Sequence, residues 1–374
     1  MRIISKTLDI KPAYVFSEQS VFFDIETTGL SAINSVLYLI GAVYYENDAW
    51  QFIQWFADEC ADESKLIDEF FKLINNKKYL IHYNGNGFDI PYIKKKLEQY
   101  DMDYTFDCVE SIDLYNIAKK YKKLLKLDNC KLVTVEKYLG IIREDKYSGK
   151  ELIDTYKEYI KVYSLERLKG DLQKSELLLK DLLLHNEEDI INLLEVTKIK
   201  YLDEVFDGNI IYDSCEVDDD KVLIKYHTFY RVPIENSLIL KGEKNDITIR
   251  INALNNYKSN IEIEIPIYNC TLKYFYKDYK NYYYLTNEDT AIHKSVAQYV
   301  DKEYRVQAKP NTCYIKKQDR FVIGIKNIKV DNEDNIPEFK KDYKDKESYY
   351  QLSKINDIGK YGIELITDCG TRKL

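Results

Sequence analysis

Apolar and polar positions divide the first half of the chain into strands followed by helices. Three apolar segments joined by short polar turns predict an antiparallel meander: Ser20–Ile25, Val36–Tyr45 and Trp50–Phe56. A helical period follows in Ser64–Leu73, and the short apolar run Tyr79–Tyr83 is typical of a buried central strand. From Leu114 to Phe206 the pattern is helical almost throughout. This order predicts an α/β unit.

The pattern changes after Phe206. The acidic segment Asp213–Asp220 is typical of a linker, and Glu288–Arg305 predicts the only sizeable helix of this half. The charged segment Asp331–Glu347 predicts a surface loop. Period-two runs predict strands at Lys221–Tyr226, Asn236–Leu240, Asp246–Asn252, Ile261–Ile267, Thr271–Tyr276, Tyr282–Leu285 and Arg320–Ile328. We therefore predict two domains, residues 1–204 and a mostly-β accessory domain at residues 205–374.

Composition narrows the class of protein. The 374 residues contain no run of about 18 uncharged apolar residues, which excludes a membrane span, and we see no secretory signal at the start. Seven scattered cysteines without a CxxC pair fit free thiols, so we expect a cytoplasmic protein. Residues 205–374 carry 27 charges of each sign, so the net charge of −8 lies in residues 1–204. Bulk charge gives no support for a simple basic DNA binder.

The segment FFDIETTGL (residues 22–30) carries the sharpest chemical signal. Residues two apart in a strand share a face, so Asp24 and Glu26 project together from the end of an apolar strand. Paired carboxylates repel each other unless a cation lies between them, and their oxygens suit Mg²⁺ or Mn²⁺. The alternative is a solvent-facing acidic strand end.

Two further segments place carboxylates at ordered positions. In HYNGNGFD (residues 82–89), Asp89 lies at the start of a helix, where capping the helix would be a sufficient role. In HNEED (residues 185–189), His185 and Asp189 are four residues apart and share one helix face. An ordinary contact on a charged helix face is the alternative for this pair.

Together these segments resemble the DEDD exonuclease superfamily, whose ribonuclease-H-like fold gathers four acidic residues around two metal ions. The segments FFDIETTGL, YNGNGFDIPYI, SIDLYNIAKKY, TVEKYLGIIRED, YSGKELIDTYKEY and HNEEDIINL are similar to the bacterial YprB-type ribonuclease-H-like family, over residues 18–204. The resemblance implies a mixed sheet flanked by helices. It also implies two Mg²⁺ or Mn²⁺ ions held by four residues: Asp24, Glu26, Asp89 and Asp189.

The same resemblance implies an activity, a 3′–5′ exonuclease that hydrolyses DNA or RNA by a two-metal mechanism without a covalent intermediate or a nucleotide cofactor. The substrate would be a single-stranded or 3′-ended nucleic acid, and His185 would accept a proton from the attacking water. His185 lies one residue closer to Asp189 than the histidine of the better-studied members, a shift of about 100° around a helix. Four residues would border the terminal nucleotide: Thr27, Leu30, Asn84 and Phe88. Core packing is the alternative for Leu30 and Phe88.

Other polar residues have weaker signals. Asp113 is expected to have a structural role or to support the ligands, and the lysine clusters at 94–96 and 119–123 fit either phosphate contacts or a solvated surface. Tyrosines and lysines alternate in Thr271–Tyr284, which suits base stacking or a packed β-hairpin.

Two other functions stay open on this sequence. The first is a non-catalytic nucleic-acid-binding or scaffolding protein on the same fold, which would not need to retain four repelling carboxylates. The second is a structure-specific endonuclease, because the same chemistry cuts internally where the cleft is open at both ends.

Overall fold

A computed structural model describes the chain except residues 15, 148, 170–171, 235, 242–245, 256–257, 326–335 and 372–374. The chain forms two compact units, Met1–Asp203 and Glu204–Leu374. The roles assigned to residues 1–204 and 205–374 stay predictions. Among the described helices, none combines the length and the apolar character that crossing a bilayer requires.

A mixed six-stranded sheet forms the centre of the first unit. Its strands are β1 (Arg2–Leu8), β2 (Ser20–Thr27), β3 (Leu37–Glu46), β4 (Ala49–Phe56), β5 (Tyr79–His82) and β6 (Glu110–Asp113). They lie in the order β1–β4–β3–β2–β5–β6. Each neighbouring pair among β1, β4, β3 and β2 is antiparallel, whereas β2, β5 and β6 are parallel to each other. Asn47 and Asp48 both have positive φ, as a tight hairpin requires, so the predicted meander is confirmed.

Helices cover this sheet. They are α1 (Glu63–Ile74), α2 (Asp89–Tyr100), α3 (Leu114–Lys120), α4 (Leu132–Leu139), α5 (Gly149–Lys169) and α6 (Gln173–Val196). The next helix, α7 (Lys200–Phe206), contains the boundary between the two units. Aromatic side chains fix the layers: Tyr156 of α5 stacks on Tyr38 of β3 at 4.1 Å between ring centroids. The predicted helical stretch is interrupted, because α4 ends at Gly140 in the left-handed region and a non-helical segment follows.

Gly41 permits a close approach of helix α6 to the sheet. A Cβ atom at Gly41 would lie 2.2 Å from both Asn186 Oδ1 and Ile190 Cδ1 of α6. Gly41 is also the β3 partner of Asp24 in β2. A residue without a side chain therefore brings the polar face of α6 against the strand that carries the acidic pair.

A buried ion pair fixes the loop between β2 and β3. Lys96 of α2 is 1% exposed, and its Nζ lies 2.9 Å from Glu63 Oε1 and donates to the Ser35 carbonyl at 2.6 Å. Glu63 also accepts from the backbone N–H of Leu37 at 2.6 Å. Lys96 is therefore a structural residue, and neither alternative for the cluster at 94–96 holds for it.

The second unit consists mainly of β-strands. They are β7 (Ile211–Val217), β8 (Lys221–His227), β9 (Asn236–Lys241), β10 (Asp246–Asn255), β11 (Lys258–Pro266), β12 (Tyr268–Phe275), β13 (Tyr282–Leu285), β14 (Thr290–His293), β15 (Arg305–Gln307), β16 (Tyr314–Ile323), β17 (Phe339–Lys340) and β18 (Tyr349–Gln351). Five form a sheet in the order β7–β8–β11–β10–β9, four close as β12–β16–β18–β17, and β14–β13–β15 form a third group. The helices of this unit are α8 (Lys294–Ala297) and α9 (Ile358–Thr371).

The second unit differs from several of the elements that the sequence predicts. The expected linker Asp213–Asp220 contains most of β7, an edge strand whose acidic side chains are largely exposed. The expected helix Glu288–Arg305 is wrong, because Ala291 and Ile292 pair with tyrosines of β13 and pairing overrides helical spacing. The longer helix of this unit is α9 instead. The charged segment at 331–347 contains β17, and its first five residues lie outside the described part of the chain, as do residues 326–328 of the last predicted strand.

The tyrosines of the segment Thr271–Tyr284 mostly contact each other. Tyr276 stacks on Tyr282 at 4.4 Å between ring centroids, and Tyr274 packs against Phe339 at 5.7 Å. The half-buried rings of Tyr276 and Tyr282 pack against small buried residues such as Ala291 and Cys313. The contacts favour the packed-hairpin interpretation over a platform for stacked bases.

Candidate active site

The acidic pair lies at the end of a buried strand, facing helix α6. Four apolar or small residues of β2 before Asp24 are fully buried, which anchors the strand in the sheet. Asp24 and Glu26 are half-buried. Period-two geometry turns both side chains to one face, as the sequence predicts.

Asn186 of α6 connects the helix to Asp24. Its Nδ2 donates to Asp24 Oδ2 at 2.9 Å, and its Oδ1 accepts from Gln54 Nε2 at 2.9 Å. Gln54 Nε2 also donates to the Leu183 carbonyl at 2.9 Å. Since Asn186 is fully buried, this chain of amides sets the position of Asp24 relative to α6.

Glu26, His185 and Asp189 come together as a compact group. One potential ligand atom from each lies within 4.8 Å of the other two. His185 Nε2 is 3.6 Å from Glu26 Oε1 and 3.6 Å from Asp189 Oδ2. Asp24 and Asp89 are not members of this group.

Asp89 lies close to the acidic strand. It is the first residue of α2 and is buried. Its carboxylate is close enough to accept from the backbone N–H of Ile25, which lies between Asp24 and Glu26. The N-cap position belongs to Phe88, so Asp89 lies in the first turn rather than at the cap.

The electrostatics of this cluster are dominated by burial and repulsion. Burial raises the pKa of Asp24 to about 7, and hydrogen bonding from Asn186 and the charge of Arg143 oppose the rise. Burial and then the charges of Asp24 and Asp89 raise the pKa of Glu26 well above its ordinary value. The pKa of Asp89 is raised well above its ordinary value by burial and by Asp24. Such mutual repulsion is relieved by a bound cation.

The segment between α4 and α5 supplies supporting residues that the sequence pattern does not predict. Arg143 forms an ion pair with Asp189 Oδ1 through Nη2, and Asp145 Oδ2 lies 2.6 Å from His185 Nδ1. Glu188 accepts from the backbone N–H groups of Glu144 and Asp145 at 2.8 and 3.0 Å. The signal available in the sequence was the run REDK before α5, which has no periodic pattern that would assign it to the site.

His185 is held in a defined orientation by these contacts. Its side chain is 12% exposed, and burial lowers the pKa of His185 although the hydrogen bond and charge of Asp145 oppose the change. The 2.6 Å contact assigns the ring proton to Nδ1, because a carboxylate accepts that hydrogen. Nε2 therefore presents a lone pair toward Glu26 and Asp189.

The loop before α2 is organised by Asp113. The Asp113 carboxylate accepts from the backbone N–H groups of Asn84 and Asn86 at 2.8 and 3.3 Å, and it caps α3 through Tyr115 N at 3.0 Å. Asn84 takes a positive φ of 64°. His82 supports the same loop by accepting from Gly85 N at 3.0 Å. The structural role expected for Asp113 is confirmed.

The four predicted substrate neighbours have different surroundings. Thr27 is buried and its hydroxyl donates to the Gly29 carbonyl at 2.9 Å. Leu30 is 88% exposed, so core packing is wrong for it, whereas Phe88 is half-buried against the core. Asn84 is exposed on its loop. A contact with substrate stays a prediction for all four.

Residues 21–201 match a family model described as the RNase_H superfamily. This region is therefore similar to the ribonuclease H superfamily. It forms a mixed sheet flanked by helices and is followed by the mostly-β second unit. The YprB-type subfamily stays a prediction. No curated protein matches the sequence.

Solved structures with limited likeness include a family B DNA polymerase from the hyperthermophilic archaeon Pyrobaculum calidifontis. Its TM-score is 0.37 with 14% identity, covering 70% of this chain and 35% of that one. The structure of an ExoI/SSB-Ct complex has a TM-score of 0.27 and 11% identity, covering 62% of this chain and 55% of that one. The zinc-bound E. coli ExoI–ssDNA complex has a TM-score of 0.25 and 12% identity, covering 55% of this chain and 53% of that one. This chain spans about a third to about a half of those chains.

The residues present fit a divalent cation. Carboxylate oxygens are the donors that Mg²⁺ and Mn²⁺ prefer, and an imidazole nitrogen suits Mn²⁺ and the later transition metals. Within the described residues of the cluster, Arg143 is the cation that pairs with Asp189. A cation between Glu26 and Asp189 would oppose the rise in the pKa of Glu26, which burial and neighbouring carboxylates cause.

Proposed function

We propose that this chain is a divalent-metal-dependent nuclease that hydrolyses phosphodiester bonds of DNA or RNA as a 3′–5′ exonuclease. The observation that carries the proposal is the convergence of two elements: Asp24 and Glu26 on β2 face His185 and Asp189 on α6. Asp89 adds a carboxylate beside the same strand. Pure binding or scaffolding would not require this costly set of clustered, largely desolvated acids.

Each acidic residue has a defined part in this proposal. Asp24, Glu26, Asp89 and Asp189 would hold two Mg²⁺ or Mn²⁺ ions, which supply Lewis-acid stabilisation of the phosphate charge when bound. Asn186 keeps the Asp24 carboxylate aimed at the site, and Arg143 keeps Asp189 aimed at it. The group formed by Glu26, His185 and Asp189 would hold one ion. The second ion is implied by the resemblance to the DEDD exonuclease superfamily.

The exposed loop after β2 supplies the proposed substrate contacts. Leu30 projects into solvent four residues after Glu26, on a loop fixed by the Lys96–Glu63 pair through Ser35 and Leu37. Asn84 and Phe88 lie on the loop that leads to Asp89. We propose that a single strand passes between these loops with its 3′ end at the acids.

The test is a cleavage assay with 5′-labelled single-stranded DNA and RNA, in Mn²⁺ or EDTA, beside Asp24→Ala. The proposal predicts a ladder that shortens from the 3′ end and is absent with EDTA and in the variant. An Asp24→Ala protein that cleaves at the wild-type rate contradicts the proposal. Circular single-stranded DNA separates the endonuclease alternative, because an exonuclease leaves the circle intact.

A further inference from the structure

The geometry around His185 points to a role different from that of a proton acceptor. We propose that His185 Nε2 is a direct metal ligand, together with Glu26 Oε1 and Asp189 Oδ2, and that this mixed set favours Mn²⁺ over Mg²⁺. The inference rests on the proposed function for its context. Its test measures metal ligation and not cleavage.

Distances around Nε2 are those expected of ligands that share an ion. Nε2 lies 3.6 Å from Glu26 Oε1 and 3.6 Å from Asp189 Oδ2, longer than the roughly 2.7–3.2 Å of a direct hydrogen bond. Two donors that each bind one ion at about 2.0–2.2 Å lie roughly 3–4 Å apart. Three donor atoms within 4.8 Å of each other can therefore surround a single cation.

In two of the three proposed ligands, His185 and Asp189, the atom that would not bind the metal already has a protein partner. Asp145 accepts the Nδ1 hydrogen of His185, which leaves the Nε2 lone pair directed at the group. Arg143 pairs with Asp189 Oδ1, which leaves Oδ2 as the atom nearest to His185. A carboxylate behind a histidine is the usual support of a metal-bound imidazole.

The segment between α4 and α5 makes this arrangement rigid. Glu188, next to Asp189 on α6, holds the backbone of Glu144 and Asp145 through two hydrogen bonds. Asp145 is 3% exposed at its side chain. The same short segment therefore orients both His185 and Asp189, and Asp145 and Arg143 are positioning residues.

The shifted spacing of His185 relative to Asp189 agrees with this role. Residues four apart lie one above the other on a helix face, so both side chains reach the same point beside β2. A nitrogen donor in place of a fourth oxygen moves metal preference from Mg²⁺ toward Mn²⁺ and other transition metals. The lone pair that binds the metal is then unavailable for proton transfer.

The experiment is electron spin echo spectroscopy of the full chain, stripped of metal and loaded with Mn²⁺, together with calorimetric titration of Mn²⁺ and Mg²⁺. The proposal predicts nitrogen modulation of a directly bound imidazole in the wild type. In His185→Ala the modulation is lost, and the Kd for Mn²⁺ rises at least tenfold while that for Mg²⁺ changes less. Asp145→Asn, whose amide can donate to Nδ1, weakens Mn²⁺ binding about 10–100-fold.

His227→Ala is the matched control. His227 has the same 2.6 Å contact from Nδ1 to a carboxylate, that of Asp213, in the second unit. The His227→Ala substitution should leave both the nitrogen modulation and the Kd for Mn²⁺ unchanged. A signal that is lost in His227→Ala, or retained in His185→Ala, overturns the proposal.

Failure of this inference and failure of the proposed function give different results. Mn²⁺ bound without nitrogen modulation, in a protein that cleaves nucleic acid, removes His185 as a ligand and leaves the nuclease. Nitrogen modulation in a protein without metal-dependent cleavage retains the site and removes the nuclease. Absence of any Mn²⁺ binding contradicts both.

Discussion

Asn186 Nδ2 donates a hydrogen bond to Asp24 Oδ2 at 2.9 Å, joining helix α6 to the acidic strand β2. The carboxylate needs this support because burial makes its charge costly. The same bond explains why α6 must approach β3 at Gly41, since Asn186 reaches Asp24 across that glycine. In the proposed nuclease, the same residue therefore takes part in metal binding and lowers the stability of the metal-free protein.

Asp24→Asn should stabilise the metal-free protein at alkaline pH. The pKa of Asp24 rises from 3.8 to about 7 on folding, so its protonated form favours the folded state and this contribution is lost as pH rises from about 4 to about 7. An asparagine carries no charge to desolvate. We expect a gain of about 1–3 kcal/mol at pH 8, at about 1.4 kcal/mol per pKa unit, shrinking toward pH 5.

Thermal unfolding in EDTA at pH 5 and pH 8 measures this effect. Asp154→Asn is the control, because Asp154 is a carboxylate on α5 with a side chain 72% exposed. A variant at Asp24 that unfolds at a lower temperature than the wild type at pH 8 would contradict the electrostatic account.

Gly41→Ala should displace helix α6 and disturb the site. The added methyl group would lie 2.2 Å from Asn186 Oδ1 and Ile190 Cδ1, far inside van der Waals contact. We expect a loss of about 1–3 kcal/mol in the free energy of unfolding and a weaker Kd for Mn²⁺. Gly149→Ala is the comparison, because a Cβ there meets nothing within 4 Å. Equal effects of the two substitutions would argue against close packing at Gly41.

Lys96→Ala should destabilise the protein far more than Lys95→Ala. Removing Lys96 leaves the Glu63 carboxylate buried without its cation, which costs about 3–5 kcal/mol. Lys95 is exposed and pairs with Glu98 across one turn, so its loss should cost under about 0.5 kcal/mol. Urea unfolding followed by circular dichroism measures both. Similar midpoints for the two variants would remove the structural role of Lys96.

Leu30→Ala should weaken binding of single strands without affecting the fold. Leu30 is 88% exposed, so its side chain contributes little to packing. Loss of apolar contact with a base should raise KM about 3–10-fold, since burying a leucine side chain is worth roughly 1.5–3 kcal/mol at most. Leu168→Ala on α5 is the control because Leu168 is 87% exposed. Steady-state cleavage gives both values of KM, and equal values would exclude Leu30 from the substrate path.

Much of the acidic site follows from sequence because its signals are local. Period-two geometry places Asp24 beside Glu26, and helical geometry places His185 beside Asp189. The supporting residues were not predictable in this way. Arg143 and Asp145 come from a segment without periodicity and reach α6 only through tertiary packing.

In the fold as well, elements set by local sequence could be predicted, whereas elements set by pairing with other strands could not. The meander β2–β3–β4 follows from apolar runs and a polar turn. Strand β1 instead pairs with the distant strand β4, and none of its residues is fully buried. The segment Glu288–Arg305 has helical spacing but forms strand β14 and short helix α8, because its partners are the tyrosines of β13. Spacing alone cannot show which neighbour a segment meets.

The most direct test of the central claim is an anomalous diffraction measurement on crystals of the full chain equilibrated with Mn²⁺. We predict an anomalous peak between Glu26 and Asp189, within coordination distance of His185 Nε2. This peak should disappear in crystals of Asp189→Ala. A fully formed acidic site without a peak at saturating Mn²⁺, or a peak that persists without Asp189, would contradict it.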